Sequence, residues 1–236
     1  MAQDSALRLD NLHLAQGQRS VLEGVSGVIA DGAVTALIGA NGAGKSTLIK
    51  ALMGELRPFA GKVHCTVPRA RRAWLPQQLA LDLSFPMSVE ELVMTGTWPS
   101  HGALKGYCAA HYRRGREIMA RLGISGVAHR PLGELSGGQR QRALIGRTLM
   151  QEAKLLLLDE PFANVDGETV DILIPIVRRM ADDGATVIVV LHDMEHLKRL
   201  ADSVLLLRDG GGEWLSPDAI AAPTASAHLS AGVSHD

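Results

Sequence analysis

The run GANGAGKST at residues 39–47 stands directly after the apolar stretch 33–38, and it constrains the fold more than any other part of the chain. It fits G-x-x-x-x-G-K-[ST], in which successive backbone N–H groups wrap phosphate oxygens, a lysine reaches the outer phosphates and a hydroxyl ligates Mg²⁺. Gly39, Asn41, Gly42 and Gly44 would shape the loop, Lys45 would hold the β- and γ-phosphates, and Ser46, with Thr47 beside it, would bind the metal. A helix expected over residues 47–53 would add the partial positive charge of its N-terminus. A buried strand before the loop and a helix after it are the parts of a parallel α/β sheet. Alone, the run leaves kinases, GTPases, transport ATPases and motor-like ATPases open.

Residues 33–38, 155–158 and 187–191 are short and apolar on both faces, as central strands of a mostly parallel sheet require. The first thirty residues alternate weakly, through Leu7, Leu9, Leu12, Leu14, Val21, Val25 and Val28, which predicts an antiparallel β region. Residues 86–132 have a different texture, with Pro86, Pro99, Pro131 and a helix-like patch over 114–122, and read as an inserted helical subdomain. Within it Ser88 and Glu91 form a capping box ahead of Leu92, Val93 and Met94, so a helix should begin there. Residues 217–236 are rich in Ala and Ser and predict a frayed end. The expected division is a single domain over 1–236, with a core over 7–77 and 136–215, a helical subdomain over 78–135 and a tail over 216–236.

With 236 residues, 46% of them hydrophobic, the chain can bury a sizeable core. A net charge of −1 gives no footprint for nucleic acid, and the basic clusters at 69–72 and 113–116 read as solvated faces. Cys65 and Cys108 match neither a disulfide framework nor a zinc-ligand spacing, which suits a reducing cytoplasm. The first ten residues carry acids and no apolar core, and the longest apolar runs are too short to span a bilayer, so neither export nor membrane insertion is expected.

Two further stretches carry chemistry. LLLLDEP, residues 155–161, is an apolar strand that delivers two carboxylates at its C-terminal end, where open parallel sheets bind ligands. Asp159 suits holding a Mg²⁺ complex through water and Glu160 suits polarising an attacking water. Taken alone, the pair serves equally well as a solvated strand end. LSGGQRQRALIGRTLM, residues 135–150, opens a helix at Ser136 and turns Leu144, Ile145 and Leu149 toward a core. A second phosphate-gripping helix start is redundant unless one nucleotide is clamped from two sides, and by itself it is an ordinary N-cap.

GANGAGKST, LSGGQRQR, LLLLDEP and VVLHD, in this order and at these separations over roughly residues 7–215, resemble the nucleotide-binding subunit of an ATP-binding cassette (ABC) transporter. The resemblance implies a P-loop NTPase core of α/β class with a mostly parallel sheet, an antiparallel β subdomain at the N-terminus and an inserted α-helical subdomain. It implies ATP as substrate, Mg²⁺ as cofactor and a homodimer that sandwiches two ATP molecules head to tail. Ser136, Gly137, Gly138 and Gln139 would then meet the γ-phosphate of the ATP on the other subunit, and His192 would be the switch residue touching the γ-phosphate. Gln77 of WLPQQ would join core to helical subdomain and reach Mg²⁺ and the attacking water, with Gln78 as the neighbouring alternative. Asp166 of FANVD would lie in the loop crossing the dimer interface, although Asn164 and Val165 depart from the family's commoner pair. At the adenine end, where the family stacks an aromatic ring, this chain offers Gln16. No aromatic residue precedes Phe59, so weak base recognition and acceptance of other purine triphosphates are expected.

Residues 83–96 and the segment from Gly133 to Asp166 resemble, more narrowly, the ATPases of bacterial manganese, zinc and iron(-chelate) importers. That likeness implies a chain peripheral to the cytoplasmic face of the cell membrane, paired with integral permease subunits and, through them, with an external solute-binding protein. The cargo metal would never touch this subunit, so the nine histidines, His228 and His235 included, are not read as its ligands. A groove beside residues 78–130 would receive a permease helix, with Leu83, Phe85, Met87 and Met94 lining it or packing the subdomain's own core. The alternatives are another solute, export, or a non-transport P-loop ATPase or kinase. A kinase leaves LSGGQ without work, and no long heptad insertion of the DNA-repair type is present.

Overall fold

The computed structural model describes residues 7–77, 83 and 85–220. β1 (Leu7–Gln16) and β2 (Arg19–Ile29) form a hairpin, followed by β3 (Val34–Gly39), α1 (Lys45–Met53), β4 (Ala60–Cys65) and β5 (Arg72–Leu75). The helices α2 (Val89–Met94), α3 (Trp98–His101), α4 (Ala109–Arg121) and α5 (Gly137–Met150) come next and lead to β6 (Leu155–Asp159). The chain continues through α6 (Gly167–Asp182), β7 (Thr186–Val190), α7 (Met194–Leu200), β8 (Ser203–Arg208), β9 (Gly211–Leu215) and α8 (Pro217–Ile220).

One sheet is antiparallel with order β2-β1-β4; the other has order β5-β6-β7-β3-β8-β9 and is parallel except for its last pair. Because successive strand side chains point to opposite faces, each apolar strand of the large sheet feeds two cores. Ala36, Leu156, Leu158, Val187, Val189 and Val204 pack with α2, α4, α5, α6 and α7. Leu37, Leu155, Leu157, Ile188, Val190 and Leu205 pack with α1 and the antiparallel sheet. Among the described residues no helix is long and apolar enough to cross a membrane.

Several details depart from the sequence reading. α1 starts at Lys45 rather than 47, because Gly44, left-handed at φ 100, takes the N-cap position. α4 starts at 109 rather than 114, since its first turn, Ala109 to Tyr112, adds no buried residue to the apolar face formed by Ile118 and Met119. Residues 217–220 are helical rather than frayed, with Ile220 2% exposed in the core; residues 221–236, including His228 and His235, lie outside the described residues. The basic clusters are not simply solvated. Arg72 donates to Leu52 O at 2.9 Å and Val67 O at 3.0 Å, and Arg114 pairs with Glu152. Ser88 and Glu91 form the expected capping box, Met94 is buried in the subdomain's own core, and Leu83 and Phe85 are exposed.

Candidate functional site

Parallel strands put their C-terminal ends on one edge, and β6, β7 and β3 are neighbours there. Loop 39–47 leaves the end of β3. A Cβ on Gly39 would lie 2.5 Å from the backbone oxygen of Leu207, and one on Gly44 would lie 2.8 Å from Val21 Cγ1, so both positions need glycine. No side chain caps the N-terminus of α1, which leaves its first N–H groups open to an anion. Lys45 is 8% exposed, and its Nζ donates to Gly39 O at 2.8 Å and Ala40 O at 3.0 Å, inside the curve of the loop. Burial pulls the Lys45 pKa down, opposed by the negative charges of Glu160 and Asp159.

β6 ends on Asp159, which is buried and has its carboxyl pushed up by burial and by Glu160, with Lys45 and His192 opposing. Glu160 follows with a left-handed backbone, φ 51, a strained conformation of the kind that gathers at functional sites. Its carboxylate is held on both sides: Gln77 Nε2 donates to Oε2 at 2.7 Å, and His192 Nε2 lies 2.7 Å from Oε1. A carboxylate only accepts, so the His192 proton on that side sits on Nε2. Gln78 lies outside the described residues.

An open cleft of ≈ 1320 Å³ runs along this edge, lined by the whole of loop 39–47, by Gln77, Asp159 and Glu160, and by Gln16 and Arg19 of the β1–β2 hairpin. Ser136, Gly137, Gly138, Gln139 and Asp166 line no part of it and form a cluster of their own. Ser136 Oγ accepts from Gln139 N, and Gln139 Oε1 accepts from Ser136 N, a reciprocal cap on α5. Asp166 caps α6 by accepting from Thr169 N at 2.7 Å, a bond that holds its carboxyl below the usual range. A Cβ on Gly138 would lie 2.6 Å from Thr169 Oγ1, so the two helix starts touch. Gln141 Nε2 donates to Pro161 O at 2.7 Å and ties this cluster to the turn carrying Glu160. Sequence reasoning missed that tie, since contacts twenty residues apart leave no periodic trace. It also missed the β8–β9 turn at the cleft, which the Asp209-Gly210 dipeptide signals.

The profile of the family described as ABC transporter matches residues 22–163. The chain is 38% identical over 207 residues to the zinc transport system ATP-binding protein TroB of Treponema pallidum, covering 86% of this chain and 78% of that one. It is 34% identical over 206 residues to the manganese transport system ATP-binding protein MntB of Listeria monocytogenes, covering 85% and 86%. Among solved structures, a metal-chelate type ABC transporter in an inward-facing conformation superposes with a TM-score of 0.85 at 27% identity, covering 97% of this chain and 90% of that one. With the phosphate loop, the strand-end carboxylates and the capped LSGGQ helix all in place, the chain belongs to the ABC transporter family.

Proposed function

We propose that the chain hydrolyses Mg²⁺-ATP at the 39–47 edge and thereby powers import of a metal ion or metal chelate through a permease bound at the cytoplasmic face of the membrane. The observation that carries the chemistry is the Glu160 carboxylate, held between Gln77 and His192 next to Lys45. The cargo class rests on the likeness to the zinc and manganese system proteins.

Backbone N–H groups of Gly42 and Gly44 and the Lys45 ammonium would bind the phosphates, with Asn41 and Thr47 completing the cradle. The donors here are oxygens, which suits a hard cation: Ser46 Oγ, Gln77 and the buried Asp159, whose carboxylate gains from a positive charge. Among the described residues no group of three His, Cys, Asp or Glu could hold a metal, so phosphate oxygens and water would complete the shell. Bound there, Mg²⁺ would neutralise charge on the transferring phosphoryl group. Glu160 accepts a proton from water as its oxygen attacks the γ-phosphorus and ADP leaves; Gln77 and His192 fix the carboxylate, and His192 reaches the γ-phosphate.

Ser136, Gly137, Gly138 and Gln139 would complete the site of a second copy, with Asp166 at the interface. In a head-to-tail homodimer ATP closes the clamp and hydrolysis reopens it, driving the permease between two facings, with the external solute-binding protein engaged only through that permease.

Complementation tests this. Chains carrying Lys45→Ala and chains carrying Ser136→Ala with Gly137→Ala should each be inactive alone, yet mixing them should restore ATP hydrolysis, because one composite site in the mixed dimer is intact. No recovery on mixing would rule out sites shared between copies. Loss of zinc or manganese uptake in cells expressing Lys45→Ala tests the cargo; unchanged uptake of both metals would overturn it.

A further inference from the structure

The β1–β2 hairpin forms one wall of the cleft, through Gln16, Arg19, Ser20, Val21 and Glu23. Gln16 and Arg19 pair directly across it, so their side chains share one face. Two residues into β2 from Arg19, Val21 abuts Gly44 of the phosphate loop, and Leu22 lies against the same glycine. A nucleotide with its phosphates on residues 39–47 would set its base against this hairpin. The aromatic platform that the family resemblance implies has no counterpart here, since among the described residues no Phe, Tyr, Trp or His lines the cleft. The nearest candidates are committed elsewhere. Phe59 packs its ring on His13 with centroids 5.6 Å apart, and Trp214 donates its indole N–H to Ser26 O at 2.7 Å while filling the space over Gly27. Arg19 lines the cleft, is exposed, and among the described residues has no hydrogen bond or ion pair holding its guanidinium.

We propose that the Arg19 guanidinium is the platform on which the purine base stacks, with the Gln16 amide at the base's edge. This rests on the nucleotide reading above and adds the residue that grips the base. A guanidinium is planar, delocalised and always charged, so it stacks on the π-face of a purine without reading its edge. The Gln16 amide offers both a donor and an acceptor, and so suits adenine and guanine alike. The ligand class is a purine nucleoside triphosphate with little discrimination between the two bases.

Calorimetric titration of the full chain with ATP, ADP, GTP and inorganic tripolyphosphate tests the proposal, using wild type, Arg19→Ala and Arg19→Tyr. Arg19→Ala should weaken ATP, ADP and GTP by one common factor of about 5- to 30-fold, the value of a stacked contact, and leave tripolyphosphate binding unchanged. Arg19→Tyr should restore nucleotide affinity, and matching melting curves would show that the exposed turn tolerates both changes. Unchanged ATP affinity in Arg19→Ala would overturn the proposal, as would a parallel fall in tripolyphosphate affinity, which would make Arg19 a phosphate contact. Wild-type chain that bound no ATP would sink the underlying nucleotide reading, an outcome distinct from normal wild-type binding with an inert Arg19.

Discussion

Glu160→Gln exchanges one carboxylate oxygen for an amide nitrogen at a position held from two sides. Both contacts, to Gln77 Nε2 and to His192 Nε2 at 2.7 Å, are ones a carboxylate accepts. The amide accepts one and must donate the other. Gln77 can receive it after an amide flip, or His192 after moving its ring proton to Nδ1, and neither change alters volume. The fold should therefore keep its stability to within about 1 kcal/mol. The lost negative charge also acts on its neighbours: Asp159 loses the second cause of its upward shift, and Lys45 loses the largest opposition to the effect of its burial. The edge becomes less repulsive to a triphosphate, so ATP binding should persist or tighten. What disappears is the proton acceptor, worth about 10²- to 10⁴-fold in rate, or about 3–5 kcal/mol of barrier. Phosphate release with Mg²⁺-ATP, beside nucleotide titration and size-exclusion analysis, should give lost turnover and an ATP-bound dimer. Turnover within about tenfold of wild type, less than about 1.4 kcal/mol of barrier, would refute the role of Glu160 as base.

Gln16→Ala removes the amide set at the edge of the base and should weaken ATP and GTP alike by about 1 kcal/mol, read as a raised Kd, and unchanged affinity for both would mean that Gln16 does not meet the base edge. Asp159 carries a raised folded-state pKa, so its neutral form favours the fold, and that stability is present below the ordinary carboxylate range and lost as pH rises through the raised value. Asp159→Asn should then melt higher than nucleotide-free wild type at neutral pH, with the gap closing in acid; a gap that widened in acid would contradict the burial argument. Ser88→Ala removes an N-cap whose two reciprocal bonds are both present, and should cost about 1 kcal/mol, or about 2–4 °C in Tm, by calorimetry.

The parts legible in the sequence are those in which chemistry dictates residue type over a few positions. The 39–47 loop, the strand ending in Asp159 and the capped helix after Ser136 are of that kind, because phosphate wrapping, charge placement and capping act locally. The weak alternation of the first thirty residues also sufficed for β1 and β2. What stayed hidden is long-range or is settled by packing. Gln77 and Glu160 are 83 residues apart and meet only because β5 and β6 pair. The segment 217–220 reads as tail by composition, yet Ile220 finds a place in the core that no local pattern announces. Cys108 starting α4 by a cap with His111 is likewise invisible to a search for Ser, Thr, Asp or Asn.

The two-sided burial of the large sheet has a consequence for accuracy at its working edge. Sliding β6 by one residue against β7 would swap every leucine it carries between two oily compartments of different shape. Such a slip is opposed from above and below at once, so the strand behaves like a key seated in two locks. The tip of that key is Asp159 followed by Glu160, and the aim of those two acids is therefore set by leucines that never meet solvent or substrate.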